Sequence, residues 1–303
     1  MAASFIHILL LLLGVQSIGT RMISGSDVAC RQRPDRVAPI VAKLALGDVV
    51  DVREESTSAE ESWYLTGRAP SPCWVHGSLT VSFAEADPQP ALLEIARRLL
   101  QGKATPFENY VQFDRLIGRP AFRSVITASP QIQMRRLQIV DAAAHILKSP
   151  DPQGVLQRNW LDEHRDVLEY FEPDGAWHVR PQAFWNLFER HKNSTDAEDI
   201  AWTAAGVAIP SDECYEGCVL DKIERTYGRY WKEFPQGVHL PEALARAVEY
   251  ARYAASVACE DEPAESRRRA ETVRSSLAPI VAPVKRELVG YLDEVIRKCS
   301  VLE

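Results

Sequence analysis

The sequence predicts a multidomain α+β protein in which a small N-terminal β-barrel precedes a larger all-α domain, built as a helical bundle or an irregular stack of helical hairpins. Three observations carry that expectation. Short β-type runs broken by Gly, Pro and Ser fill residues 27–83, two prolines interrupt the chain within residues 84–90, and apolar residues recur at a 3.6-residue period through residues 91–303. With 303 residues, 46% of them hydrophobic, the chain has enough apolar material for two ordinary cores.

Residues 1–25 read as a signal peptide. Ile6 to Val15 is an apolar run of 10 residues, about half the length a membrane span requires. Small residues at Val15-Gln16-Ser17 and Ser17-Ile18-Gly19 offer cleavage sites. The first cysteine, Cys30, lies well beyond the apolar run, which argues against a lipid anchor. The mature chain is therefore expected to be periplasmic or secreted, with no membrane span.

Ile40-Val41, Val49-Val50-Asp51-Val52 and Trp63-Tyr64-Leu65 supply the short strands of the barrel. Asp87-Pro88-Gln89-Pro90 then denies backbone donors and reads as a linker. Helical stripes follow: Leu92, Ile95, Ala96 and Leu99; Leu137, Val140 and Ala144; Leu161, Leu168 and Phe171; Phe184, Leu187 and Phe188; Leu244, Ala247, Val248 and Ala251; and Leu288, Leu292, Val295 and Cys299. Turn chemistry separates them at Pro150-Asp151-Pro152, Pro173-Asp174-Gly175 and Pro235-Gln236-Gly237. Ala176-Trp177-His178-Val179 is a candidate extended stretch between helices.

Six cysteines, an even number in a chain read as exported, favour disulfides over metal ligands or catalytic thiols. An antiparallel hairpin of helices near Asp212–Lys232 and Pro241–Cys259 would bring Cys259 beside Cys214 and Cys218. One of those two then pairs with Cys259 and the other with Cys299; a direct Cys214–Cys218 bond is the competing arrangement.

The balance of 35 basic against 42 acidic residues gives a net charge of −7 and excludes the basic surface that nucleic-acid binding requires. Histidine spacings for zinc, the nucleophile elbow and the phosphate loop are absent from the sequence, so no metal, cofactor or reaction is indicated. His164 and His191 fall on apolar helix faces and read as core or capping histidines. Acidic residues such as Glu61, Glu163 and Glu169 are plentiful, but only a fold brings two carboxylates together for glycoside cleavage.

Arg31, Pro34, Pro39-Ile40-Val41-Ala42, Leu46-Gly47-Asp48-Val49-Val50-Asp51-Val52, Trp63-Tyr64 and Trp74-Val75-His76-Gly77-Ser78-Leu79 together resemble the bacterial Src-homology-3-like (SH3-type) domain family over residues 27–83. Cys30 and Cys73 stand where the family usually has an apolar strand residue and a glycine, and together they look like a disulfide joining the first and late strands. A loop of that length would add about 4 kcal/mol in the chain-entropy picture. The resemblance implies a non-catalytic module that binds cell-wall peptide or an exported protein, with Trp63, Tyr64, Trp74 and His76 as candidate groove residues. Core packing is the competing role for Trp63 and Trp74. The function expected is thus an exported binding or scaffolding protein of the bacterial cell envelope; the alternative is an envelope hydrolase with a carboxylate site among the helices.

Overall fold

The computed structural model describes residues 18–300 except 59–60, 68–70, 103, 173–174, 208–215, 258 and 260–262. The chain forms two compact units, residues 1–125 and 126–303.

Seven antiparallel strands build the first unit: β1 (Gly19–Ile23), β2 (Val28–Arg31), β3 (Ile40–Leu44), β4 (Val49–Ser58), β5 (Glu61–Thr66), β6 (Cys73–His76) and β7 (Thr80–Ser82). Their order is β3-β2-β6-β5-β4-β1-β7, so β3 and β7 are edges and the sheet does not close on itself as the expected barrel would. Strand β1 lies inside the stretch read as a signal peptide, yet it pairs with both β4 and β7 and buries Met22 and Ile23 completely. Residues 1–17, which hold the apolar run, lie outside the described residues.

Period-two alternation places Ile23, Val28, Val50 and Val75 in one core, with Cys30 and Cys73 among them. Those two cysteines form the expected disulfide, with a Cα separation of 5.4 Å. Two helices complete the unit, α1 (Gln89–Gln101) and α2 (Phe107–Ile117). Arg98 holds α1 to the sheet by donating to the Ser78 carbonyl at 2.7 Å, the Ser24 hydroxyl at 3.0 Å and the Thr80 carbonyl at 3.2 Å. Gly47, in the turn before β4, has φ +84°, and a Cβ there would lie 2.5 Å from a Leu116 methyl of α2. Both the left-handed backbone and this close approach require glycine.

The second unit is helical with one hairpin. After α3 (Arg123–Ala128), Ser129 caps α4 (Pro130–Ile146) by accepting the Ile132 N–H at 3.3 Å. Helix α5 (Val155–His164) is followed by β8 (Leu168–Phe171) and β9 (Ala176–Val179), an antiparallel pair. An all-α domain is therefore the wrong description, and Leu168 and Phe171 do not continue the stripe begun by Leu161. The chain reverses at Gly175, which has φ +64°, and the reversal allows a hairpin that no helix through this segment would permit. All four residues of β9 are buried, and Asp141 of α4 accepts the Val179 N–H at 2.9 Å, so a helix side chain covers the strand's edge.

Helices α6 (Pro181–His191), α7 (Ala197–Gly206), α8 (Glu216–Ile223), α9 (Arg229–Glu233), α10 (Leu240–Ser256), α11 (Pro263–Ser276) and α12 (Lys285–Ser300) form the rest. A π-helical turn at Glu224–Gly228 lies between α8 and α9, so the long helix expected near Asp212–Lys232 runs without a break from Glu216 to Glu233, and residues 212–215 lie outside the described residues. Tyr227, Tyr230 and Trp231 are buried between helices.

Cys259 pairs with Cys299, at a Cα separation of 5.2 Å, and not with Cys214 or Cys218. Helices α11 and α12 run out and back, and the last turn of α12 returns beside the end of α10, where Lys298 donates to the Ala255 carbonyl at 2.7 Å. That closure brings Cys299 to Cys259. Cys218 is also disulfide-bonded, while Cys214 lies outside the described residues.

Candidate functional site: a groove on the sheet

Trp63 and His76 are direct cross-strand partners on β5 and β6. Their rings meet edge to face, with centroids 5.0 Å apart. Trp63 is 2% exposed and forms a floor, whereas His76 stands partly open beside it. Together with Ala29, Arg31, Arg36, Ser78 and Leu79 they line a groove of 280 Å³.

One wall of the groove is the loop between β2 and β3. Its conformation is fixed by its own polar groups: Asp35 accepts the Val37 N–H at 3.0 Å through its carboxylate, and the Gln32 N–H reaches the Pro39 carbonyl at 3.0 Å. Arg31 donates to the Ala38 carbonyl at 2.6 Å, which fastens the loop to β2. Arg36 then projects from the loop to Glu61 at 2.7 Å, so a cation and an anion meet at the rim.

His76 Nδ1 lies 2.7 Å from the Ser78 hydroxyl and accepts the Ser78 N–H at 3.3 Å. The accepting role of Nδ1 leaves the proton of a neutral ring on Nε2. That Nε2 is buried with no hydrogen-bond partner, and the Glu61 carboxylate lies 3.7 Å away, beyond a hydrogen bond. A buried donor without a partner costs about 1–3 kcal/mol, so an acceptor entering the groove would recover part of that.

The four residues singled out from the sequence do not share one surface. Tyr64 follows Trp63 on the strand and therefore faces the opposite side, where the Arg21 guanidinium covers its ring at 4.2 Å. Trp74 shares the Trp63 and His76 face by alternation and pairs with Leu65 and Arg31, but of these three only Arg31 lines the groove. Trp63 and His76 alone among the four reach the groove. Arg36 was not foreseen; a lone arginine in a Pro-Asp turn gives no signal of what it will face.

The helical unit holds a second cavity, of 540 Å³, between α4 and α6. Its lining includes no Asp or Glu, so the carboxylate pair of a glycoside hydrolase is not built there. His164 is the expected core histidine, buried, stacked on Trp160 and bonded to the Trp160 carbonyl at 2.7 Å. His191 lies instead at the cavity wall. Among the described residues no three His, Cys, Asp or Glu side chains are grouped to hold a metal ion.

Comparison with known proteins returns no similarity: no family model matches this chain, and neither a curated protein nor a solved structure resembles it significantly.

Proposed function

We propose that the sheet unit is a recognition module of an exported bacterial envelope protein, akin to SH3-type barrels, which holds an extended cell-wall peptide against Trp63 and His76. The observation that carries this reading is the groove itself: an aromatic floor, an unpartnered buried Nε2 and a rim bearing both charge signs in Arg36 and Glu61. Wall peptides are short, extended and rich in both carboxylates and amines, and such a rim offers each a partner. Protein partners presenting an extended segment are the competing ligands. Export is supported by the disulfides Cys30–Cys73 and Cys259–Cys299, which persist in oxidising compartments, and by the apolar run from Ile6 to Val15. Among the described residues no helix is long and apolar enough to cross a membrane.

The test is a pull-down of the protein on purified peptidoglycan, followed by assay of soluble fragments released. Retention without release, reduced by Arg36→Ala and by Leu79→Ser, is the expected result. Fragment release would replace the module by a hydrolase, and no retention would turn the search to protein partners.

A further inference from the structure

The cavity between α4 and α6 is electrostatically out of keeping with the rest of the chain. The protein carries a net charge of −7, yet this lining holds Arg136, Arg190 and His191 and not one carboxylate. Arg190 and His191 occupy the last turn of α6, where cations complement the helix dipole for structural reasons alone. Arg136 sits in the body of α4, away from the helix terminus, and lines the cavity while also engaging another group of the chain.

Arg190 makes no side-chain hydrogen bond or ion pair among the described residues, unlike most arginines of this unit. Nearby Glu189 does not neutralise it, since that carboxylate is engaged by Arg229 at 2.8 Å and lies outside the cavity lining. Beneath the cations the floor is apolar: Leu137 on α4, Leu187 and Ala183 on α6, and Val167 just before β8. Gln133 and Asn186 add neutral polar groups to the walls. At 540 Å³ the space falls within the roughly 300–1,000 Å³ typical of small-molecule sites.

We infer that this cavity binds a small amphiphilic anion, with a carboxylate or phosphate head placed between Arg136 and Arg190 and an apolar body laid over Leu137, Val167 and Leu187. A guanidinium from each of two helices suits a planar or tetrahedral anion. The apolar floor excludes a purely ionic ligand as the natural occupant, because burying it would offer nothing to the head's solvation loss.

Isothermal titration of the protein with octanoate, octyl phosphate, acetate and inorganic phosphate tests the inference. Saturable binding of octanoate or octyl phosphate is expected, and whichever binds tighter identifies the head. Arg190→Gln should weaken it about tenfold, as the loss of one charge-assisted contact does. Val167→Ser should weaken the octyl ligands and leave the headgroup probes unchanged. Arg190 and Val167 are not core residues, and an unaltered melting temperature shows that each variant is folded. No saturable binding of either octyl ligand, binding insensitive to Arg190→Gln, or binding of acetate or inorganic phosphate as tight as their octyl counterparts would overturn the inference.

Discussion

The disulfides Cys30–Cys73 and Cys259–Cys299 close loops of nearly equal length, with sequence separations of 43 and 40, but they sit in unlike surroundings. Cys30–Cys73 lies at the centre of a small sheet core, joining strands whose neighbours are Ile23, Val28, Val50 and Val75. Cys259–Cys299 lies at one end of a helical unit whose core includes the alanine-rich face of α10, Ala243, Ala247, Ala251 and Ala254. Cys259 is also held at φ +74°, a left-handed conformation that costs a non-glycine residue about 1–2 kcal/mol. Chain entropy alone gives each bond about 4 kcal/mol. The difference in what each supports comes from burial and backbone strain, not from loop length.

Four measurements would sharpen or break that comparison. Replacing Cys30 and Cys73 by Ala should cost about 4 kcal/mol or more in denaturant unfolding, because the loss of cross-linking falls on the sheet's own core. The Cys259 and Cys299 double replacement should cost less, about 2–3 kcal/mol, since release of the left-handed strain offsets part of the entropy. Equal costs would show that the surroundings do not matter. Gly47→Ala should destabilise the sheet unit by about 2–3 kcal/mol through the φ it cannot adopt and the clash with Leu116, read as a lower melting temperature. Arg98→Ala, which removes the bonds from α1 to Ser24, Ser78 and Thr80, should cost about 1–2 kcal/mol in the same assay.

The helical unit supplies the smallest effect. Burial pushes the Asp141 carboxyl above the usual carboxylate range, while the Val179 N–H and the nearby His178 and His145 pull it down less strongly. A raised folded pKa means that the group's contribution is fully present below its unfolded value and is lost as pH rises through the folded one. Asp141→Asn keeps an acceptor for Val179 and should flatten that fall, raising stability at pH 7 by under about 1 kcal/mol in urea melts taken from pH 4 to 7.

The division into a β-rich start and a helical remainder was legible because both periods are written locally, in runs such as Val49–Val52 and in stripes such as Phe184, Leu187 and Phe188. Strand β8 was not, because Leu161, Leu168 and Phe171 fit helical spacing and the reversal at Gly175 is decided by the hairpin it closes. The favoured cysteine pairing failed in the helical unit for a related reason, leaving the competing arrangement open: α11 and α12 had to be placed before Cys299 could be seen to return to Cys259. At the groove, Trp63 and His76 could be named from sequence, but period two sends Tyr64 to the far face and only the folded loop carries Arg36 to Glu61. The cationic cavity left no local trace, since Arg136 and Arg190 come together only when α4 and α6 pack.

The most direct test of the central claim, peptide recognition at the sheet groove, is a ¹⁵N–¹H correlation spectrum titrated with a synthetic wall stem peptide. The account predicts shifts concentrated at the Trp63 indole N–H and the backbone amides of Arg36, His76, Ser78 and Leu79, with Tyr64 on the opposite face unperturbed. Shifts confined to other residues, or no shifts at saturating peptide, would contradict it.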